Sequence, residues 1–213
     1  MRLVLISDTH SLHDEVTLPE GDVLIHAGDF CGWGTPGELA HFCNWLRYQD
    51  FKHKLVIAGN HDRILQSDRT QAEWFLRQAG ATYLEDSGVT IDGVSYYGSP
   101  WTPEFYNWAF MKKRGPEIDE RWQLIPDDLD VLITHGPPAG ILDLSTHERM
   151  GCEMLAQRVR EKKPAIHVFG HNHTGYGFEA DAGTAYYNVS QVNDMYDVVY
   201  KPVVIDVCVM TET

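Results

Sequence analysis

The chain has 213 residues, 43% of them hydrophobic and 23% charged, a balance that can bury a core. Seventeen Lys and Arg against 31 Asp and Glu leave a formal charge of −14, which repels polyanions and disfavours long nucleic acid as a partner. No apolar run approaches the roughly 20 residues that cross a bilayer, and MRLVLISDTH reads as a first β-strand rather than a signal peptide, so membrane, coiled-coil and secreted mini-protein classes are excluded.

In chain order, five short runs rich in Val, Ile or Leu predict buried strands: Leu3–Ser7, Val23–His26, Leu55–Ala58, Val131–Thr134 and Ile166–Phe169. Thr35-Pro36-Gly37-Glu38 has capping-box spacing with Pro at the first helical position, predicting a helix to about Tyr48. Further helices are expected from Arg69 to Ala79, stopped by Gly80, and from Cys152 to Lys162, stopped before Pro164. Asp92-Gly93 between Val89–Ile91 and Val94–Tyr97 signals a hairpin, and Asp181-Ala182-Gly183 a second one between Gly175–Ala180 and Thr184–Val189. β/α alternation followed by hairpins predicts a mixed α/β domain with two packed sheets, spanning residues 1–213 without a linker or repeat. The four cysteines (Cys31, Cys43, Cys152, Cys208) form no Cys-x-x-Cys pair and read as buried free thiols of a cytoplasmic protein.

The loops at the strand ends carry the chemistry. Asp8-Thr9-His10 lies after the first strand, Gly28-Asp29 after the second and Gly59-Asn60-His61-Asp62 after the third; Thr134-His135-Gly136 and Gly170-His171-Asn172-His173 lie after the last two. Ligand sites of α/β sheets form outside the carboxyl ends of strands, so these loops are expected to converge. Carboxylate, amide oxygen and imidazole without sulfur suit Mn²⁺, Fe or Zn²⁺. The seven candidate ligands (Asp8, His10, Asp29, Asn60, His135, His171, His173) exceed one tetrahedral site and fit two ions sharing a carboxylate. Asp-x-His and His-x-His would each place two side chains on one side of an extended segment, with Gly28, Gly59, Gly136 and Gly170 easing tight turns.

These five motifs, in this order from Asp8 to His173, resemble the calcineurin-like metallophosphoesterase superfamily. The stretches EGDVLIHAGDF, VIAGNHD, YGSPWTPEFYNWAF and HVFGHNHTGYG are similar to its small metallophosphoesterase-domain-containing subgroup, related to class III cyclic-nucleotide phosphodiesterases. The resemblance implies a four-layer α/β/β/α sandwich of two mixed sheets and metal-dependent phosphoester hydrolysis, with small phosphodiesters, cyclic nucleotides included, as the expected substrates and a metal-bridging hydroxide as the nucleophile. It implies two metal ions, divalent or mixed-valence (Mn, Fe or Zn). Asp8, His10 and His173 would hold the first, Asn60, His135 and His171 the second, with Asp29 as the bridge. His61 would be the general acid and Asp62 would orient it.

Other readings of the same fold are a phosphomonoesterase, a phosphoprotein phosphatase, a nuclease and a non-catalytic scaffold. Ala58 before Gly59, and Gly28-Asp29-Phe30-Cys31-Gly32, depart from the phosphoprotein phosphatase pattern, while the complete ligand set and His61 argue against a scaffold. His26 and His167 sit inside strands and read as core or supporting histidines; His13 reads as a substrate contact, a helix start or a surface residue. His41, His53 and His147 read as solvated, and Lys112-Lys113-Arg114 as a solvated loop face or a phosphate contact. Arg63 is expected to reach a phosphate or a surface ion pair. Trp101, Phe105, Tyr106, Trp108 and Phe110 put five aromatics in ten residues, as core packing or as a substrate wall.

Overall fold

The computed structural model describes residues 1–146 and 148–208; His147 lies outside the described residues. The first half contains β1 (Arg2–Ile6), β2 (Val23–His26), α1 (Pro36–Arg47), β3 (His53–Val56), α2 (Arg63–Ser67), α3 (Arg69–Gln78) and β4 (Ala81–Tyr83). The hairpin β5 (Ser87–Ile91) and β6 (Val94–Ser99) comes next, then the short pair β7 (Thr102–Pro103) and β8 (Met111–Lys112), and α4 (Pro116–Trp122). β9 (Val131–Thr134), α5 (Glu153–Lys162), β10 (Ile166–Phe169), the hairpin β11 (Gly177–Asp181) and β12 (Thr184–Asn188), and β13 (Val203–Asp206) complete the order.

Two mixed sheets result. The five-stranded one runs β13-β1-β2-β3-β4 with β13 antiparallel at its edge. The six-stranded one runs β11-β12-β10-β9-β6-β5, its four central strands parallel and both edge strands antiparallel. Alternation along β1 shows how the layers stack. Leu3 and Leu5 join Val23, Ile25, Val131 and Ile133 between the sheets, while Val4 and Ile6 join Leu39, Phe42 and Leu46 of α1 on the outer face. On the other side Leu132 and Phe169 pack against Trp122 of α4 and Leu155 of α5. The architecture is the four-layer α/β/β/α sandwich. Both faces of each sheet are covered, which is why these strands read as unbroken apolar runs. All four residues Leu3–Ile6 are 0% exposed, and burying each contributes roughly 1.5–3 kcal/mol.

Local signals behave as their chemistry dictates. Thr35 Oγ1 accepts from the Glu38 amide at 3.2 Å while the Glu38 carboxylate accepts from the Thr35 amide at 2.8 Å. Both hairpins turn through left-handed pairs, Asp92 and Gly93 at φ 48° and 83°, Ala182 and Gly183 at 49° and 94°. Gly80 ends α3 at φ 82°, and Lys163 ends α5 in the left-handed region before Pro164. Cys31, Cys43 and Cys152 are buried free thiols, but Cys208, which follows the edge strand β13, is exposed.

Candidate metal centre

The carboxyl ends of β1, β2, β3, β9 and β10 open onto one crevice, where the sheets are stitched together by Ser7 N–H to Val189 C=O at 3.0 Å and Gln191 N–H to Ser7 C=O at 2.9 Å. The seven candidate ligands meet there in two groups. Asp8, His10 and His173 present ligand atoms within 4.8 Å of one another, and so do Asp29, His135 and His171. His10 Nε2 and His173 Nε2 are 3.2 Å apart, and Asp8 Oδ1 is 3.6 Å from His173 Nε2. In the second group His135 Nε2 lies 3.0 Å from Asn60 Oδ1. Asp29 stands between: its Oδ2 is 3.8 Å from His10 Nε2 and 3.2 Å from His135 Nε2.

Electrostatics favours cations here. Asp8 and Asp29 are 0% and 2% exposed, and among the described residues their only ion-pair partners are histidines. Burial alone would raise the Asp29 carboxyl; His135 and His61 outweigh it and hold it well below the ordinary value. Burial likewise opposes a charge on His135, but Asp29 lifts the imidazole to about 9. Burial pushes His10 down to about 4 and His171 to about 3, leaving neutral donors. His135 Nδ1 is 3.0 Å from the Ala27 carbonyl, which makes that nitrogen the donor and leaves Nε2 for a metal. The donor set fits divalent ions, which supply the positive charge these buried carboxylates need.

The backbone route to this geometry differs from the expected one. Asp8, His10, Asp29 and His171 all have positive φ, at 53°, 41°, 56° and 66°, and His173 begins a short 3₁₀ helix. The two side chains of Asp-x-His and of His-x-His therefore converge through left-handed turns, not by alternation along an extended segment. Such conformations cost of order 1–3 kcal/mol and cluster at functional sites. Of the four glycines, Gly28 sits at φ +98°, whereas Gly59 and Gly170 serve close approach. A Cβ on Gly59 would lie 2.2 Å from Asp29 Oδ1, and one on Gly170 would lie 2.0 Å from Asp8 Oδ2.

Asp62 makes no hydrogen bond with the His61 ring. Its carboxylate is fully buried and accepts from the amides of Asp29 (2.8 Å), Cys31 (2.9 Å) and Gly59 (2.7 Å), so it clasps the second and third loops together. Burial, then the Asp29 charge, push its carboxyl up to about 8 against the pull of the amides. The partner of His61 is the Gly32 carbonyl, 2.6 Å from Nδ1. That loop is itself held by Glu38, which accepts from the Gly32 and Trp33 amides at 3.0 Å. The His61 ring stacks on Trp108 at 4.2 Å, and a His61 ring nitrogen falls within 4.8 Å of His10 and Asp29 ligand atoms.

A cleft of about 290 Å³ opens over these groups, lined also by Phe105, Trp108, Asp194 and Tyr196. The aromatic segment divides. Trp101 and Phe110 pack into the core, with Trp101 Nε1 on Asp86 Oδ2 at 2.9 Å. Phe105, 51% exposed, and Trp108 face the cleft, and Tyr106 is exposed. Among the described residues Arg63 meets no carboxylate within ion-pair distance; it lies over the Trp108 ring at 4.4 Å and donates to the Asn107 carbonyl. Arg114 is spent on the Gly151 carbonyl (2.7 Å) and Glu153 (2.8 Å), and Lys112 on Glu117 (3.4 Å). His26 and His167 are buried, each with Nε2 on a threonine of a ligand loop: Thr9 at 3.0 Å and Thr134 at 2.8 Å. His13 is buried rather than on the surface. Tyr196 escaped the sequence reading; its ring lies 4.8 Å from His10 and 5.2 Å from His173. It follows β12, which runs parallel to β10, so the strand-end rule applied to one more strand would have found it.

Residues 1–175 match the calcineurin-like phosphoesterase family. The chain is 42% identical to metallophosphoesterase domain-containing protein 1 of Homo sapiens over 229 residues, covering 96% of this chain and 70% of that protein. It is 39% identical to a UPF0046 protein of Caenorhabditis elegans over 216 residues, covering 96% and 74%. Among solved structures, TT1561 of Thermus thermophilus shares the fold at a TM-score of 0.61 and 10% identity, with 88% of each chain covered. Another solved chain superposes at a TM-score of 0.68 with 16% identity, covering 88% of this chain and 89% of that one. No helix among the described residues is long and apolar enough to cross a membrane.

Proposed function

The chain belongs to the calcineurin-like phosphoesterase family, whose chemistry is metal-dependent phosphoester hydrolysis, and on that premise we propose that it is a cytoplasmic phosphodiesterase for small phosphodiesters, cyclic nucleotides included, working as one domain around two metal ions such as Mn²⁺. The observation that carries this is Asp29 Oδ2 facing His10 Nε2 on one side and His135 Nε2 on the other. Asp8, His10 and His173 would hold one ion, and Asn60, His135 and His171 the other. When bound, such ions polarise the phosphoryl oxygens and lower the pKa of water.

The chain's own residues do the rest. His61 Nδ1 donates to the Gly32 carbonyl, which leaves Nε2 to hold the proton that goes to the departing alkoxide. Positioned acids of this kind contribute about 10²–10⁴-fold. Trp108 covers one face of the His61 ring and limits its motion. Phe105 and Tyr196 supply apolar walls for a nucleoside in a cleft of about 290 Å³, near the lower bound of small-molecule sites.

The test is a substrate panel with metal-defined protein. Bis(p-nitrophenyl) phosphate and cyclic nucleotides should exceed p-nitrophenyl phosphate in kcat/KM; the reverse order would make the enzyme a monoesterase. His61→Ala should keep its metals and lose most of kcat, less so with the good leaving group p-nitrophenolate. Equal losses on good and poor leaving groups would remove the general-acid role.

A further inference from the structure

On the outer face of the first sheet, the 3₁₀ turn His13–Glu15 follows the His10 loop and packs against α1. His13 is 0% exposed, yet neither of its ring nitrogens has a hydrogen-bond partner. An orphaned buried polar group is destabilising, and an apolar ring would fill the same space without that cost. The surroundings are apolar on one side, with Phe42 at 5.5 Å and Trp45 at 5.1 Å between ring centroids. On the other side they are chemically specific. His41 stands 4.5 Å away, centroid to centroid, and its Nε2 is 2.8 Å from Asp14 Oδ2. Ligand atoms of His13, Asp14 and His41 all lie within 4.8 Å of one another.

We propose that His13, Asp14 and His41 form a separate site for a divalent transition ion of the zinc class. Two imidazoles and a carboxylate are a donor set that Zn²⁺ and its neighbours in the series accept, with water completing the shell on the open side. His41 and Asp14 are exposed, so the ion enters from solvent. Burial, and then His41, push His13 down to about 4, so its imidazole is neutral and ready to coordinate at neutral pH. An ion there ties the turn after His10 to helix α1, whose Glu38 holds the Gly32 loop behind His61. It shares no residue with the ligand set of the main centre.

The experiment counts metal. Metal-stripped chain is equilibrated with excess Zn²⁺, and bound zinc per chain is measured by elemental analysis. His41→Ala, at an exposed helix position where Ala is well tolerated, should bind one ion fewer than the unaltered chain, whatever the main centre holds. Its phosphoesterase activity with Mn²⁺ should be unchanged. His13→Phe should lose the same single ion. It should also melt higher than the unaltered chain when both are metal-free, since no orphaned nitrogen remains, and should show a smaller zinc-dependent rise in Tm, because only the main centre still binds the ion. Unchanged zinc counts in both variants would overturn the site. Loss of more than one ion together with activity in His41→Ala would overturn its independence.

Discussion

Replacing Asp62 separates two accounts of the centre. If Asp62 only oriented His61, as the family resemblance implies, Asp62→Ala should spare metal and stability and slow only substrates with poor leaving groups. In the structure Asp62 is 0% exposed and accepts from three amides, those of Asp29, Cys31 and Gly59, at 2.7–2.9 Å. Alanine leaves those three donors buried without partners, at about 1–3 kcal/mol each, or roughly 3–9 kcal/mol together. For a chain of this size 1 kcal/mol moves Tm by about 2–4 °C, so the low end alone predicts a fall of about 6–12 °C. Two of the three bonds go to Oδ2, so an amide oxygen there keeps them and only Cys31 N–H loses its acceptor; Asp62→Asn should fall by about a third as much. Because the clasp joins the Asp29 loop to the Gly59-Asn60 loop, bound metal should drop alongside Tm. Thermal melts and metal analysis on both variants decide the matter. An Asp62→Ala chain that melts within about 2 °C of the parent, keeps its metal, and loses activity only on poor leaving groups would refute this account.

Asp29→Asn should lose more metal than Asp8→Asn, because Asp29 Oδ2 faces both imidazole groups and an amide bridges two cations poorly; equal retention on dialysis would deny it the bridging place. Trp101→Ala should cost about 3–5 kcal/mol of stability and slow every substrate alike, since that ring is packed against the core. Phe105→Ala should leave Tm nearly unchanged and raise KM for cyclic nucleotides by about 5- to 150-fold if the exposed ring stacks a base, a contact worth about 1–3 kcal/mol; the same KM with an unchanged Tm would end the stacking role. His26 and His167 are pushed down by burial to about 3. The unfolded chain therefore takes up their protons first as pH falls below about 6.5. Their contribution is complete above that value and shrinks by up to about 1.4 kcal/mol per pH unit for each imidazole on the way to about 3. Urea melts at pH 5, 6 and 7 should show His167→Gln reducing this slope by one proton's worth; identical slopes would show that His167 does not stay neutral.

The strands, and the residues gathered at their carboxyl ends, were legible in the sequence. Leu3–Ile6, Val131–Thr134 and Ile166–Phe169 are apolar at every position or nearly so because both faces of each sheet are covered, and a run of that kind reads without knowledge of its partners. Thr35 with Glu38, and Asp92 with Gly93, act within four residues, so their cap and turn were legible too. The motifs from Asp8 to His173 could be placed at one crevice because parallel strands share a carboxyl edge. Tertiary structure decided whatever depends on distant neighbours. Ala81–Tyr83 is a strand through its pairing with β3, and Val203–Asp206 through its pairing with β1, about 200 residues away in sequence. The left-handed turns at Asp8, His10, Asp29 and His171 arise where each loop must aim a side chain into shared space, a demand that no window of sequence contains. Asp62 looked like a partner for His61 because the two are adjacent. Three amides, two of them about 30 residues away, claimed its carboxylate instead, since a buried acceptor takes the donors that folding brings to it.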